Sequence, residues 1–451
     1  MKFSIRQIEL FERDVRLRMP FRFGIVTLTE SPQAFARVRI RLENGAESEG
    51  AAAELLAPKW FDKNPALSNE DNFEQLRQAL ALAKGAYLGG GANTAFGHFN
   101  AHYRGQIERG ASKGLNPLVS NFGPALIDRA LLDALCRGLG ISFYDAVRRN
   151  VAGLELPAAF LESLSPRDRI AARHTVGLVD PITAVEHRVN DGLPETLEEV
   201  VARYGHRWFK LKVGGDARAD VERLAAIASV LDRIPEGYKA SLDGNEQYED
   251  VQGVLQLWSQ MQASPRLKRL VSSIVFFEQP IKRQNALSAD VSPLGKYKPV
   301  IIDESDDSLD AFPRAKSLGY KGVSSKTCKG LYKSMINAAR CAEWGAEYFM
   351  TGEDLTIQAG LALQQDLALV SLLGITHVER NGHHYVNGMA GLPIEEQDAF
   401  LRAHPDLYER SQRAVRLRIT DGWISTKSLA CPGYASGAMP DWNSMREMKI
   451  K

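Results

Sequence analysis

The absences in this sequence narrow it first. Only 4 of the 451 residues are cysteine. Cys136, Cys328, Cys341 and Cys431 are widely spaced and form no CxxC pair, which argues against a disulfide frame or a thiolate metal site. Neither sign of charge dominates, since 56 basic and 55 acidic residues leave a formal net charge of +1. There is thus no general electrostatic reason to expect nucleic acid or an acidic membrane surface as a partner. No apolar run approaches the length of a membrane span, and charge at Lys2, Arg6 and Glu9 interrupts any signal-peptide core. The expected compartment is cytoplasmic. Gly89-Gly90-Gly91 lacks a following helix start with a lysine at phosphate-loop spacing, so it reads as a plain loop. There is no internal repeat and no low-complexity segment.

What is present is a soluble, globular composition, with 44% hydrophobic and 25% charged residues. The length exceeds one typical domain and suits a barrel of about 250 residues plus a second domain. The most telling stretch is Phe209-Lys210-Leu211-Lys212-Val213, an apolar strand whose two lysines, one residue apart, lie on the same face. Like charges side by side disfavour each other's protonation, so such a pair inside a pocket holds one amine ready to accept a proton. Alone, a Lys-x-Lys at a strand end is commonly a solvated edge. Its context differs: Asp243, Glu278, Asp303 and Lys326 each close a further apolar run, at intervals of roughly 23 to 35 residues, about one βα unit.

That rhythm predicts an α/β fold, a (β/α)8-type barrel in which the carboxyl ends of all strands meet on one rim. Parallel strands buried on both faces read as unbroken apolar runs. Eight are expected, near 174–179, 207–213, 238–243, 273–278, 299–303, 320–326, 347–351 and 375–379. Helical stripes lie between them, at 218–231 and 331–344. The first 120 or so residues read as an α+β unit instead. Two alternating strands turn at Asn44-Gly45, and Ser68 caps a helix carrying Phe73, Leu76, Leu80 and Ala83. A further helix over 124–139 leads toward the barrel.

Three carboxylates at adjacent strand ends suit one hard cation. Removing a proton next to a carboxylate builds a second negative charge on the same oxygens, so a multivalent ion is needed there. Asp243, Glu278 and Asp303 are therefore the predicted ligands of one Mg²⁺. Lys212, on barrel strand two, and Lys326, on strand six, approach from opposite sides of the mouth. Asn245, Glu304 and Glu379 are candidates for supporting or substrate contacts. Arg22 and Lys59, in the loops 19–30 and 55–63, are candidates for a polar distal group of the substrate. Lys329 reads as a surface lysine at a helix start, and Glu353 and Asp354 either touch the substrate or cap the next helix, the cap being the slightly favoured reading. His377 and the His383-His384 pair fall at or after strand eight, where they either reach the site or, as the favoured reading, lie in a solvated loop.

These residues together resemble the enolase superfamily, specifically its muconate lactonizing enzyme-like subgroup, the mandelate racemase/muconate lactonizing enzyme family. The resemblance rests on Lys210-Leu211-Lys212, Asp243, Glu278, Asp303-Glu304-Ser305, and Lys326 followed by Lys329-Gly330, and it covers nearly the whole chain. It implies an N-terminal α+β capping domain over 1–140, a barrel over 141–400 and a C-terminal segment, 401–451, that returns to the cap through 416–422 with Pro432-Gly433. It implies Mg²⁺-dependent abstraction of the proton alpha to a carboxylate, through an enediolate, with Lys212 and Lys326 as acid and base. Lys210 then tunes Lys212, and Glu304 supports the ligands from behind. The expected reaction is racemisation or epimerisation, with cycloisomerisation or dehydration as the alternative. A metal-binding barrel without turnover and a Schiff-base aldolase are further alternatives. Strand seven lacks the histidine of the mandelate racemase-like branch, and strand eight lacks the Asp-x-Asp of dipeptide epimerases. The expected partner is a small carboxylate substrate, with self-association into a homo-oligomer.

Overall fold

The computed structural model describes residues 1–355 and 358–450. The chain opens with three antiparallel strands, β1 (Phe3–Phe23), β2 (Val26–Leu42) and β3 (Glu47–Leu55). Three helices follow: α1 (Asn69–Leu88), α2 (Ala95–Ser112) and α3 (Pro117–Leu139). Ser68 caps α1 in a full capping box with Asp71, as its sequence signature requires. Asn44-Gly45 makes the β2–β3 turn, with Gly45 at φ 86°.

α3 begins seven residues earlier than expected, at Pro117, and carries Pro124 inside it. Proline in a helix deprives the carbonyl four residues back of its partner. Here Gln106 of α2 supplies the missing donor, its Nε2 lying 2.9 Å from the Ser120 carbonyl. This is one use of the segment between Leu88 and Leu118. α2 packs along α3 and lets it start early. The early start matters, because Asn121 at that end donates to the Lys329 carbonyl at 2.7 Å and ties the cap to the barrel mouth. On the other flank Gly50 of β3 meets α3 so closely that a Cβ there would lie 2.2 Å from the Ala134 nitrogen.

Eight parallel strands then form the barrel: β4 (Arg169–Val176), β5 (Trp208–Lys212), β6 (Lys239–Asp243), β7 (Ile274–Glu278), β8 (Val300–Ile302), β9 (Gly322–Ser325), β10 (Phe349–Gly352) and β11 (His377–Arg380). Each pairs with the next, and β11 pairs with β4, which closes the ring. Seven strands fall where the apolar runs place them. β4 runs 169–176 rather than 174–179, because Arg169 and Arg173 interrupt its apolar character. Arg173 points into the barrel and is fully buried against Glu353. Helices Ala217–Leu231 and Leu331–Trp344 match the predicted stripes.

The C-terminal segment serves both halves. Trp423–Ser425 adds to β4 from outside the ring, and the return to the cap sheet is made by Arg446–Glu447 on β1, not by residues 416–422. Asp133 of α3 joins the pieces, accepting from the Ala51 nitrogen at 2.8 Å and the Tyr434 nitrogen at 2.7 Å. Among the described residues no helix is long and apolar enough to cross a membrane.

Candidate active site at the barrel mouth

The strand ends converge as parallel closure requires. Lys210 and Lys212 leave β5 on one face, and both ammonium groups reach Asp243 Oδ2 at the end of β6, at 2.9 and 2.5 Å. Lys210 also contacts Glu278 at 2.8 Å, Glu353 at 2.8 Å and Glu379 at 3.0 Å. Four carboxylates therefore share one cation at the barrel axis. Burial opposes the Lys210 charge, but Asp243, Glu278 and the other two acids outweigh it and hold its proton well above the usual lysine range. Asp243 Oδ2 lies between the two ammonium groups and screens one from the other, which bears on the tuning role expected of Lys210.

On the opposite wall Lys326, just after β9, donates to Asp303 Oδ2 at 2.7 Å and lies 4.2 Å above the Trp60 ring. Burial works against its charge too, and Asp303 overrides burial and raises its proton affinity. For Asp303 burial acts upward, and Lys326 and Lys329 together hold the carboxyl well below the usual range. Lys329 is not the surface lysine that its position at a helix start suggests. It is buried, donating to Ser324 at 2.8 Å and pairing with Asp306 at 3.1 Å and Asp303 at 3.3 Å.

The backbone beside the acids is bent to place them. Asn245, Glu246 and Gln279 have φ of 38°, 68° and 32°, a region non-glycine residues seldom occupy. Gln279 then accepts from the Asp303 and Ser305 nitrogens at 2.9 and 3.1 Å, which fixes the end of β8 against β7. Asn245 donates from its side chain to Glu304 at 3.1 Å and from its backbone to Asp243 at 2.8 Å.

Glu278 Oε2 is buried and finds no hydrogen-bond partner among the described residues. Burial, then repulsion from Asp243 and Glu353, pushes this carboxyl well above the usual range. Lys210 holds only the other oxygen, Oε1, at 2.8 Å, and the orphaned Oε2 together with the Asp243 and Asp303 carboxylates offers hard oxygen donors that fit a cation such as Mg²⁺. The trio is open rather than closed. Among the described residues, the three side chains whose donor atoms all lie within 4.8 Å of one another are His174, His206 and His383, outside the barrel. Lys212 holds Asp243 and Lys326 holds Asp303, and the three acids stand at the ends of three successive strands spaced about 4.8 Å.

Lys212, Lys326, Asn245, Glu379 and Asn381 line one pocket, walled by Phe21, Phe23, Leu28, Ala57, Trp60 and Leu355. Asn245 Oδ1, Asn381 Oδ1 and Trp60 Nε1 are buried there without a partner among the described residues. Glu379 bonds Lys210 and, at 2.6 Å, Thr175.

Two expected contacts do not reach the pocket. Arg22 alternates with Phe21 and Phe23 on β1, so when those rings face inward it faces solvent. Lys59 has φ 59° and spends its ammonium on the Asn64 and Leu67 carbonyls of its own loop. Lys63, missed in the sequence, comes from that loop instead and meets Glu246 at 2.5 Å and the Asn245 carbonyl at 2.6 Å. Glu353 and Asp354 are not helix caps. Glu353 holds Lys210 and Arg173, and Asp354 accepts from the Asn381 nitrogen at 3.0 Å. Glu353 carries the same signal as the other acids, closing the apolar strand β10. His377 and His384 are buried and His383 is half-buried, so none lies in a solvated loop, and His377 stacks on Trp208 at 3.9 Å.

Fold and mouth together define a capped, parallel eight-stranded barrel with acids and lysines on its rim. Residues 192–405 match the family model of the enolase C-terminal domain-like family. Among solved structures it is similar to the muconate lactonizing enzyme of Mycobacterium smegmatis complexed with muconolactone (19% identity, TM-score 0.62, 98% of both chains). It is also similar to the L-Ala-D/L-Glu epimerase of Bacillus subtilis (17%, 0.58, 96% of this chain and 98% of that one). A third is a Roseovarius nubinhibens member of the enolase superfamily complexed with magnesium (17%, 0.57, 98% and 97%). At these identities the likeness establishes the fold alone. No curated protein matches the sequence.

Proposed function

We propose that this protein is a Mg²⁺-dependent isomerase or lyase that moves the proton alpha to a small substrate's carboxylate, acting first as a racemase or epimerase. The observation that carries the reading is that Lys212 and Lys326, from strand positions opposite each other in the ring, open onto the same pocket. A planar substrate held between them presents one face to each amine. Asp243, Glu278 and Asp303 would hold the metal ion, which when bound supplies positive charge at the substrate carboxylate.

The residues of the chain do the rest. Lys212 and Lys326 each rest on a ligand oxygen, Asp243 Oδ2 and Asp303 Oδ2. Each amine becomes free for proton transfer only as its carboxylate engages another cation. Lys212 Nζ takes the proton on one face, and Lys326 Nζ returns one to the other. Lys210 stays charged and keeps four acids together without itself facing the pocket. The cap strand β1 and the loop with Trp60 exclude water from above, which strengthens each charge interaction below.

One observation favours the alternative, cycloisomerisation or dehydration. Trp60 and Asp303 both stabilise Lys326 as an ammonium, and a lysine that only stabilises charge gives a one-base reaction. Incubation with Mg²⁺ in D₂O, over acid sugars, N-acylamino acids, dipeptides and muconate-like diacids, tests the reading. Deuterium at the alpha carbon with inversion is the expected result, and loss of water or ring change marks the alternative. Mg²⁺-loaded protein that exchanges no alpha proton on any of these classes contradicts the proposal. Substrate trapping on a lysine by borohydride replaces it with a Schiff-base reaction.

A further inference from the structure

Four of the nine histidines meet at one place, on the outside of the barrel. His174 lies on β4 between Arg173 and Thr175, whose side chains bond Glu353 and Glu379 inside the ring. Strand alternation therefore turns His174 outward. His206 precedes β5, and His383 and His384 lie in the short helix Gly382–Tyr385 after β11. The ring centroids of His174, His206 and His383 are 5.2 to 5.5 Å apart.

Imidazoles buried without partners need an explanation. His174 Nδ1, His206 Nε2 and both ring nitrogens of His383 are buried with no hydrogen-bond partner among the described residues. His206 Nδ1 lies 3.1 Å from the Ala172 carbonyl. A carbonyl only accepts, so Nδ1 carries the hydrogen and Nε2 keeps a free lone pair, the arrangement seen when histidine binds a metal. Burial favours the neutral ring in all three. His174, His206 and His383 each offer one nitrogen, and these atoms all lie within 4.8 Å of one another.

We propose that His174, His206 and His383 form a second metal site, which takes one borderline divalent ion of the Zn²⁺ class through three imidazole nitrogens. Nitrogen donors suit such ions and not Mg²⁺, so the site is chemically separate from the oxygen ligands at the mouth. Closing on an ion at about 2.0–2.1 Å draws together three nitrogens that already lie within 4.8 Å of one another. His174 and His383 come from β4 and from just after β11, the two strands that close the barrel. A bound ion thus staples the seam of the ring.

The test uses the full chain, stripped with chelator and then kept in millimolar Mg²⁺ to occupy oxygen sites, and titrated with Co²⁺. One equivalent is expected to bind with the intense visible absorption of a low-coordinate nitrogen site, and Zn²⁺ is expected to displace it. His383→Ala, checked for fold by circular dichroism, is expected to weaken this by about 100-fold or more. X-ray absorption at the zinc edge of the unaltered protein gives a readout that needs no variant, with an imidazole-rich shell expected. Absence of stoichiometric binding over Mg²⁺, an oxygen-dominated shell, or an unchanged Co²⁺ spectrum in folded His383→Ala overturns the site. The cluster is then no more than stacked core imidazoles.

Discussion

The barrel mouth and the outer face of the cap sheet both carry dense ion pairs, yet the pairs differ in kind. On the cap, Arg39 and Glu49 meet at 2.7 Å on adjacent strands and remain 46% and 50% exposed. At the mouth, Lys210 meets its four acids at similar distances but is 1% exposed. Exposed pairs exchange one solvated state for another and contribute little. Buried pairs cannot lose a partner without stranding a charge out of water. Distance alone therefore says almost nothing about consequence, and solvent decides.

Substitutions sharpen that contrast. Lys212→Ala is expected to slow alpha-proton exchange by about 10² to 10⁴-fold while circular dichroism and Mg²⁺ binding stay as they are. Exchange at the unaltered rate would take Lys212 out of the mechanism. Glu278→Gln keeps shape but removes charge, and calorimetry should show Mg²⁺ affinity reduced at least about tenfold. Lys210→Met strands four acids, and urea unfolding should show a loss of about 3 to 5 kcal/mol, partly restored by Mg²⁺.

A smaller effect comes from pH, outside both regions. His404 is buried near Ser428, and burial lowers its affinity for a proton to a pKa of about 4. The unfolded chain has the higher pKa, near 6.5, so it binds the proton first and stability falls as pH drops from about 6.5 to 4. Up to about 3 kcal/mol is at stake, and His404→Gln should flatten that part of the stability–pH curve. At the bottom of the scale, Arg39→Ala on the cap is expected to leave the urea midpoint unchanged. A shift as large as that of Lys210→Met would erase the distinction between the two regions.

The strand-end residues were legible because a parallel barrel writes its mouth into the sequence. Each buried strand is an apolar run, and the residue that ends it sits on the rim. Asp243, Glu278, Asp303 and Lys326 all follow that rule, and so does Glu353, directly after β10. β4 was displaced because two arginines broke its apolar run, one of them buried through a partner 180 residues away. In the cap loop Lys59 turns to the carbonyls of its own loop, whereas Lys63 meets Glu246 and the Asn245 carbonyl. Lys59 and Lys63 differ only in how the loop folds, and no local pattern encodes that. The histidines after β11 read as solvated because their burial comes from β4 and the stretch before β5, far away in sequence. Lys329 was misread for the same reason.

The central claim is that Asp243, Glu278 and Asp303 close on one divalent ion between Lys212 and Lys326. Anomalous diffraction from a crystal grown with Mn²⁺ tests it most directly, since Mn²⁺ takes the same oxygen ligands as Mg²⁺. The account predicts a peak about 2.0 to 2.5 Å from an oxygen of each of the three acids, with both lysine amines released from them. A peak held by Glu246 and Glu304 instead, with the three acids still bonded to Lys210, Lys212 and Lys326, would contradict it.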